Sequence, residues 1–147
     1  MKNSLQKNNG FTLIELIVVI VILGIMVTFA APKFIDLQSD ARASVIRGVE
    51  GSIRSAATLV YSKSLIDGTE TAATGTVNVS GGGVVDTVFG YPAATAAGIG
   101  TAIDLQGGVT HDGSGVFTLQ TGCTVTYVAA ADATTPPVID PAVITGC

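Results

Sequence analysis

No tryptophan occurs in this chain, and no lysine or arginine occurs after Lys63. The stretch from Ser64 to Cys147 keeps Asp67, Glu70, Asp86, Asp104, Asp112, Asp132 and Asp140, so its formal charge is −7. A surface without cations cannot release counterions from a phosphate backbone, which excludes nucleic-acid binding through a broad basic face. Solubility and repulsion between neighbouring copies are the plainer consequences. Histidine is nearly absent too: His111 stands alone, and the two cysteines, Cys123 and Cys147, belong to no CxxC pair. A zinc site lacks ligands, and no metal or other cofactor is expected. The two cysteines read best as a disulfide formed in an oxidising compartment, with two free thiols or a link between chains as alternatives. Charge is missing again from Leu16 to Val27, an unbroken apolar run.

What is present is organised around the edge of that run. Phe11 to Ala31 is 21 residues, close to the ~20 a helix needs to span a bilayer. Lys2 and Lys7 precede it, so the positive-inside rule places the amino terminus in the cytoplasm and delivers the rest outward. Glu15 is the one carboxylate at its edge. At mid-bilayer depth an acidic side chain costs roughly 2.5 to 3.5 kcal/mol, so it calls for a partner and a function. The sequence offers no adequate one. Cutting the chain between Gly10 and Phe11 would create an amine four residues away. A conventional signal peptide would instead be cut after the run, where Pro32 follows Ala30-Ala31 at once, and would discard Glu15.

Gly10-Phe11-Thr12-Leu13-Ile14-Glu15 resembles the class III signal of type IV pilins and pseudopilins at every position. The resemblance implies cleavage of Gly10–Phe11 by a prepilin peptidase, N-methylation of Phe11, and an assembly role for Glu15. Gly24 and Pro32 match family positions where the helix loosens as subunits pack. Proline in a helix interior costs about 3 kcal/mol and glycine about 1 kcal/mol, while a gentle kink is the milder outcome. Ala31-Pro32-Lys33-Phe34, Leu37-Gln38-Ser39-Asp40-Ala41-Arg42 and Gly90-Tyr91-Pro92 look like the mannose-sensitive haemagglutinin (MSHA) pilins.

Beyond Pro32, Phe34, Leu37, Ala41, Val45, Val49, Ile53, Ala56 and Val60 recur every three or four residues, the stripe of an amphipathic helix. Glu50 and Arg54 form a favourable i,i+4 pair. A helix from Phe11 to about Lys63 would reach roughly 80 Å, with Asp67-Gly68 turning after it. The second proline common in the family's helix is replaced here by Gly48, Gly51 and Ser52. Strands are expected at Thr76–Val79, Val84–Phe89, Val116–Leu119 and Thr124–Val128, turns at Gly81-Gly82-Gly83 and Asp112-Gly113-Ser114-Gly115, and a short helix within Ala93–Leu105. Pro136-Pro137 opens a last segment, Val138 to Ile144. The fold class is therefore α+β, a long N-terminal helix with a membrane half and an amphipathic half packed on an antiparallel sheet. The organisation is a leader, 1–10; a transmembrane or filament-core helix, 11–32; its amphipathic continuation, 33–64; and a β-rich head, 65–147, closed by a disulfide loop like that of type IVa pilins.

Enzyme chemistry has no footing. Gly98-Ile99-Gly100 lacks the third glycine of a dinucleotide fingerprint, His111-Asp112 reads as a surface turn, and Asp112-Gly113-Ser114-Gly115 lacks the spaced oxygens of a calcium loop. The resemblance implies a structural prepilin, anchored in the inner membrane and then polymerised with itself into an extracellular, adhesive pilus. Its implied partners are the prepilin peptidase, an assembly ATPase, a platform protein, an outer-membrane secretin and a host-surface or glycan receptor. The rivals are a pseudopilin of a type II secretion system and a membrane-anchored binding protein that never polymerises.

Overall fold

The computed structural model describes residues 10–79 and 83–147, without the side chains of Ala31, Pro32 and 34–36. The leader lysines, the Gly81-Gly82 turn and the side chain of Phe34 lie outside the described residues. Two compact units divide the chain, Met1–Gln38 and Ser39–Cys147.

The first unit is helical from Leu13 onward, the start of α1 (Leu13–Asp67). Its stretch Leu13–Ala30 is long and apolar enough to cross a membrane, and none of it is buried. α1 runs unbroken through Gly24 and Pro32, although Pro32 has no N–H to return to the carbonyl of Thr28. Thr28 adds a bond of its own, its Oγ1 donating to the Ile25 carbonyl at 2.6 Å, a local contact that often bends helices.

The second unit packs the rest of α1 against two antiparallel sheets where one was expected. The first has the order β1-β2-β3 (Gly75–Val79, Gly83–Val88, Tyr91–Pro92). The second has the order β4-β5-β6-β7 (Thr110–His111, Val116–Gln120, Cys123–Val128, Val138–Ile139). The four strands read from alternation are present within a residue or two of their expected ends. The two-residue strands β3 and β4 were not expected. The helix expected within Ala93–Leu105 shrinks to α2 (Ile99–Ala102), because Gly98 and Gly100 weaken helix on both sides of its start.

The expected stripe of α1 holds at Ile53, Ala56 and Val60, with Val49 packed against the core, and the observed one departs from it only toward the start of the helix. Ile46, Ile53, Ala56, Ala57 and Val60 are buried, while Leu37, Ala41 and Val45 are exposed. Ile46, Ile53, Ala56 and Ala57 join Phe117, Cys123, Val125 and Tyr127 in one apolar cluster. The i,i+3/i+4 rule leaves phase free by about one residue, and Val45-Ile46 satisfies it either way. Only the sheet chooses. α1 also runs past Lys63 to Asp67, where these two residues form an i,i+4 ion pair. It ends at Gly68, whose φ of +68° is the left-handed conformation that commonly closes helices.

Gly90-Tyr91-Pro92 ties the helix to both sheets. The Gly90 carbonyl accepts from the buried Ser64 hydroxyl at 2.8 Å. Tyr91 stacks on Tyr61 of α1 with centroids 4.2 Å apart, and the Pro92 carbonyl accepts from the Tyr127 hydroxyl at 2.7 Å. Gly90 has φ +78°, and a Cβ there would stand 2.8 Å from the Glu70 backbone, so only glycine fits. Burial pushes the Tyr127 phenol well above its usual ionisation range. Tyr127→Phe leaves the Pro92 carbonyl without its donor, and chemical denaturation should read a loss of about 1 to 2 kcal/mol. A value near zero would show that water replaces the hydroxyl.

A comb of polar contacts fastens the C-terminal segment to α1. Arg42 donates to the Cys147 carbonyl at 3.4 Å, Glu50 accepts from the Ala142 N–H at 3.0 Å, and Arg54 donates to the Ile139 carbonyl at 3.4 Å. The expected Glu50–Arg54 ion pair forms at 2.8 Å. Together with the Ala142 amide it holds the Glu50 carboxyl below its ordinary value.

Candidate functional site

The chain enters its apolar helix through Gly10, Phe11 and Thr12, which precede α1 and are exposed. Phe11 is 94% exposed, although an aromatic ring of this size is ordinarily drawn into a core. Among the described residues, a methyl group added at Gly10 would meet no atom within 4 Å, so none of them requires glycine there. The Gly10–Phe11 peptide is outside regular secondary structure and open on every described side.

Thr12 occupies the N-cap position of α1, and Glu15 lies three residues on. The Thr12 hydroxyl accepts from the Glu15 N–H at 3.3 Å, and Glu15 Oε2 accepts from the Thr12 N–H at 2.8 Å and from its hydroxyl at 2.9 Å. This is a capping box, in which two orphan donors of the first turn are satisfied reciprocally. The expectation that Glu15 has no adequate partner before cleavage is therefore corrected. First-turn geometry brings Thr12 within reach, and the negative end of the side chain sits where the helix dipole favours it. The hydrogen bonds stabilise the carboxylate but do not cancel its charge. Thr12 was missed although Thr-x-x-Glu before an apolar run is a legible signal.

The remaining candidates fall elsewhere. Gly24 has open space around it and lies with Pro32 inside α1. Cys123 and Cys147 form a disulfide with Cα atoms 4.9 Å apart, buried against the core. Gln120 donates to the carbonyls of Gly146 and Cys147 beside it.

His111 and Asp112 do not form an acid–base pair. The imidazole packs on Phe117 with ring centroids 4.6 Å apart, and its nitrogens face the N–H groups of Gly113 and Gly115 at 3.2 Å. The Asp112 carboxylate accepts from the Ser114 hydroxyl and from the N–H groups of Ser114 and Val116, which holds its pKa down to about 2. Because the folded value lies below the unfolded 3.8, the turn's stabilisation is complete above that pH and is lost as pH falls through about 2. The Ser114 and Val116 amide resonances should titrate with a midpoint near 2. A midpoint at the ordinary carboxylate value would remove these bonds from the argument. Among the described residues no three His, Cys, Asp or Glu side chains gather as metal ligands.

Comparison with known proteins bears on the same end of the chain. Residues 5–31 match the family model of the prokaryotic N-terminal methylation motif. The chain is 45% identical over 51 residues to the type IV narrow pilus major component PilA5 of Thermus thermophilus, covering 35% of this chain and 44% of that protein. It is 31% identical over 122 residues to the fimbrial protein EcpC of Eikenella corrodens, covering 74% of this chain and 80% of that one. No solved structure matches.

Proposed function

Since this chain belongs to the type IV pilin family, we propose that it is a prepilin, cut between Gly10 and Phe11, N-methylated on Phe11 and polymerised with itself into an extracellular pilus. One observation carries the reading. Every residue of Leu13–Ala30 is exposed in the single chain, and apolar surface on that scale must be covered by lipid or by other copies. A membrane covers it before assembly, and neighbouring helices cover it afterwards.

The entry stretch fits the chemistry demanded of it. Gly10 is unconstrained by the described residues, which fits a requirement for glycine set by the prepilin peptidase that binds it. An exposed peptide outside regular secondary structure is what a protease can thread. The new amine of an incoming Phe11 would then meet the Glu15 carboxylate of a subunit already in the fibre. Two desolvated charges would cancel, whereas a missing partner leaves one buried charge at a cost of several kcal/mol. Pro32 and Gly24 supply weak points where the helix can loosen during packing.

Lys2 and Lys7 support a cytoplasmic N-terminus in the inner membrane, with the acidic head outside. An assembly ATPase, a platform protein and a secretin would carry the subunit out, and a surface or glycan receptor would be the adhesive target. The role is structural rather than enzymatic. The likeness of the sequence segments 31–34, 37–42 and 90–92 to MSHA pilins is what supports placing it with them.

The test is the mass and N-terminal residue of the chain in filaments sheared from cells. N-methyl-Phe11 is the expected result. An intact Met1, or a start after Ala31, would overturn the reading. Absence from long filaments would favour the type II secretion pseudopilin.

A further inference from the structure

Four successive amides around the β4–β5 turn are directed at two adjacent side chains. Gly113 and Gly115 point their N–H groups at Nδ1 and Nε2 of His111, each at 3.2 Å. Ser114 and Val116 point theirs at Oδ1 of Asp112, at 2.7 and 3.0 Å. The carboxylate can accept at any pH above its own titration near 2, but the imidazole is less permanent. A neutral imidazole carries a proton on one nitrogen, so it accepts one of the two bonds at a time. An imidazolium accepts neither, because both of its nitrogens are donors. The ring also covers Phe117, its cross-strand partner, which is fully buried. β4 is an edge strand of two residues, so few bonds hold this corner besides those to the ring.

We propose that His111 is a proton-operated latch on this turn. Neutral, the ring holds Gly113 and Gly115 and closes the turn over Phe117. Protonated, it releases both amides and turns to the Asp112 carboxylate, whose Oδ2 accepts only from the Ser114 hydroxyl. The latch goes beyond assembly and stands whether or not the chain polymerises. The surroundings of the ring set the direction. Phe117 of β5 and Gly100 of α2, which pack on it, are uncharged, and two N–H dipoles face it with their positive ends. Asp112, on the turn itself, is the charged group facing it, and its field draws an imidazolium away from those amides. Imidazole is the side chain that ordinarily changes charge between about pH 5 and 8, a range that leaves Asp112 ionised throughout. Release uncovers Phe117 and loosens β4, which opens the edge of β5 to solvent.

The test follows the full chain in detergent micelles by NMR from about pH 8 to about pH 5. The Gly113 and Gly115 amides should shift with the same midpoint as the His111 ring protons. Their protection against hydrogen exchange, taken relative to the intrinsic rate, should fall roughly tenfold, the loss of about one hydrogen bond. The Phe89 amide, bonded to the Ala72 carbonyl beside the first sheet, should keep its protection. His111→Gln retains one acceptor that does not titrate, so both amides should then be indifferent to pH. Asp112→Asn retains the acceptor but removes the charge, and release should need a pH lower by about half a unit or more. Gly113 and Gly115 resonances that stay fixed while the ring protons titrate would overturn the latch. So would a wild-type response that persists in His111→Gln, or a ring that stays neutral down to about pH 5. An unchanged midpoint in Asp112→Asn would overturn Asp112 as the ring's second partner.

Discussion

A chain carrying Glu15→Ala is expected to reach the membrane and stop there, with surface filaments reduced at least a hundredfold. In the proposed assembly step the Phe11 ammonium of one subunit loses its only counter-charge. An uncompensated charge in an apolar bundle costs on the order of 3 to 5 kcal/mol, or two to three decades in an equilibrium. The capping box creates a second consequence, because Ala also removes an N-terminal cap worth about 1 kcal/mol to the helix. Glu15→Gln separates the two. Glutamine at this position can still accept from the Thr12 N–H, so the cap survives while the charge is gone. Membrane content of the chain, measured against filament yield, should show both variants inserted and neither polymerised. Abundant Glu15→Gln filaments would mean that the carboxylate serves the helix start and not the register of the fibre. Thr12→Ala should weaken the cap alone and reduce filaments far less.

The second large effect is in the head. Cys123 and Cys147 are 24 residues apart, and opening that loop in the unfolded chain restores about 3.5 kcal/mol of conformational freedom in the chain-entropy model. Cys123→Ser with Cys147→Ser should therefore lower the melting temperature of the head by roughly 15 °C, followed by circular dichroism. The effect is larger than for a surface staple, because Cys123 is fully buried beside Val125 and Phe117. Arg42 and Gln120 would keep hold of the C-terminal carbonyls, so the segment should loosen before it detaches. A shift of only a few degrees would show that these hydrogen bonds, rather than the disulfide, retain it.

Much of this molecule is legible in one dimension because the signals are local. An apolar run of helix-spanning length is a property of composition. The motif at Gly10 to Glu15 is a property of order, and alternation in Thr124–Val128 marks a strand without reference to any partner. The capping box between Thr12 and Glu15 is legible too, as Thr-x-x-Glu before an apolar run, although the cost of an acid beside a membrane-length segment is the louder signal.

The choices that remained were between locally equivalent states. Val45 and Ile46 satisfy the same periodicity, and only contact with the sheet buried one and exposed the other. Tyr91-Pro92 and Thr110-His111 are too short to alternate, so their strand character depends on the partner strands they pair with. The division into two sheets, the Gly90-Tyr91-Pro92 tie and the comb from Arg42, Glu50 and Arg54 join residues 26 to 105 positions apart. The sequence alone determined the long apolar helix, the N-terminal methylation motif at its start and the acidic, cysteine-paired character of the head, since each is carried by residue order and composition. Tertiary structure decided where along α1 the apolar stripe is buried, the sheet division and the Gly90-Tyr91-Pro92 tie, because those depend on which surfaces meet when distant segments exclude water together.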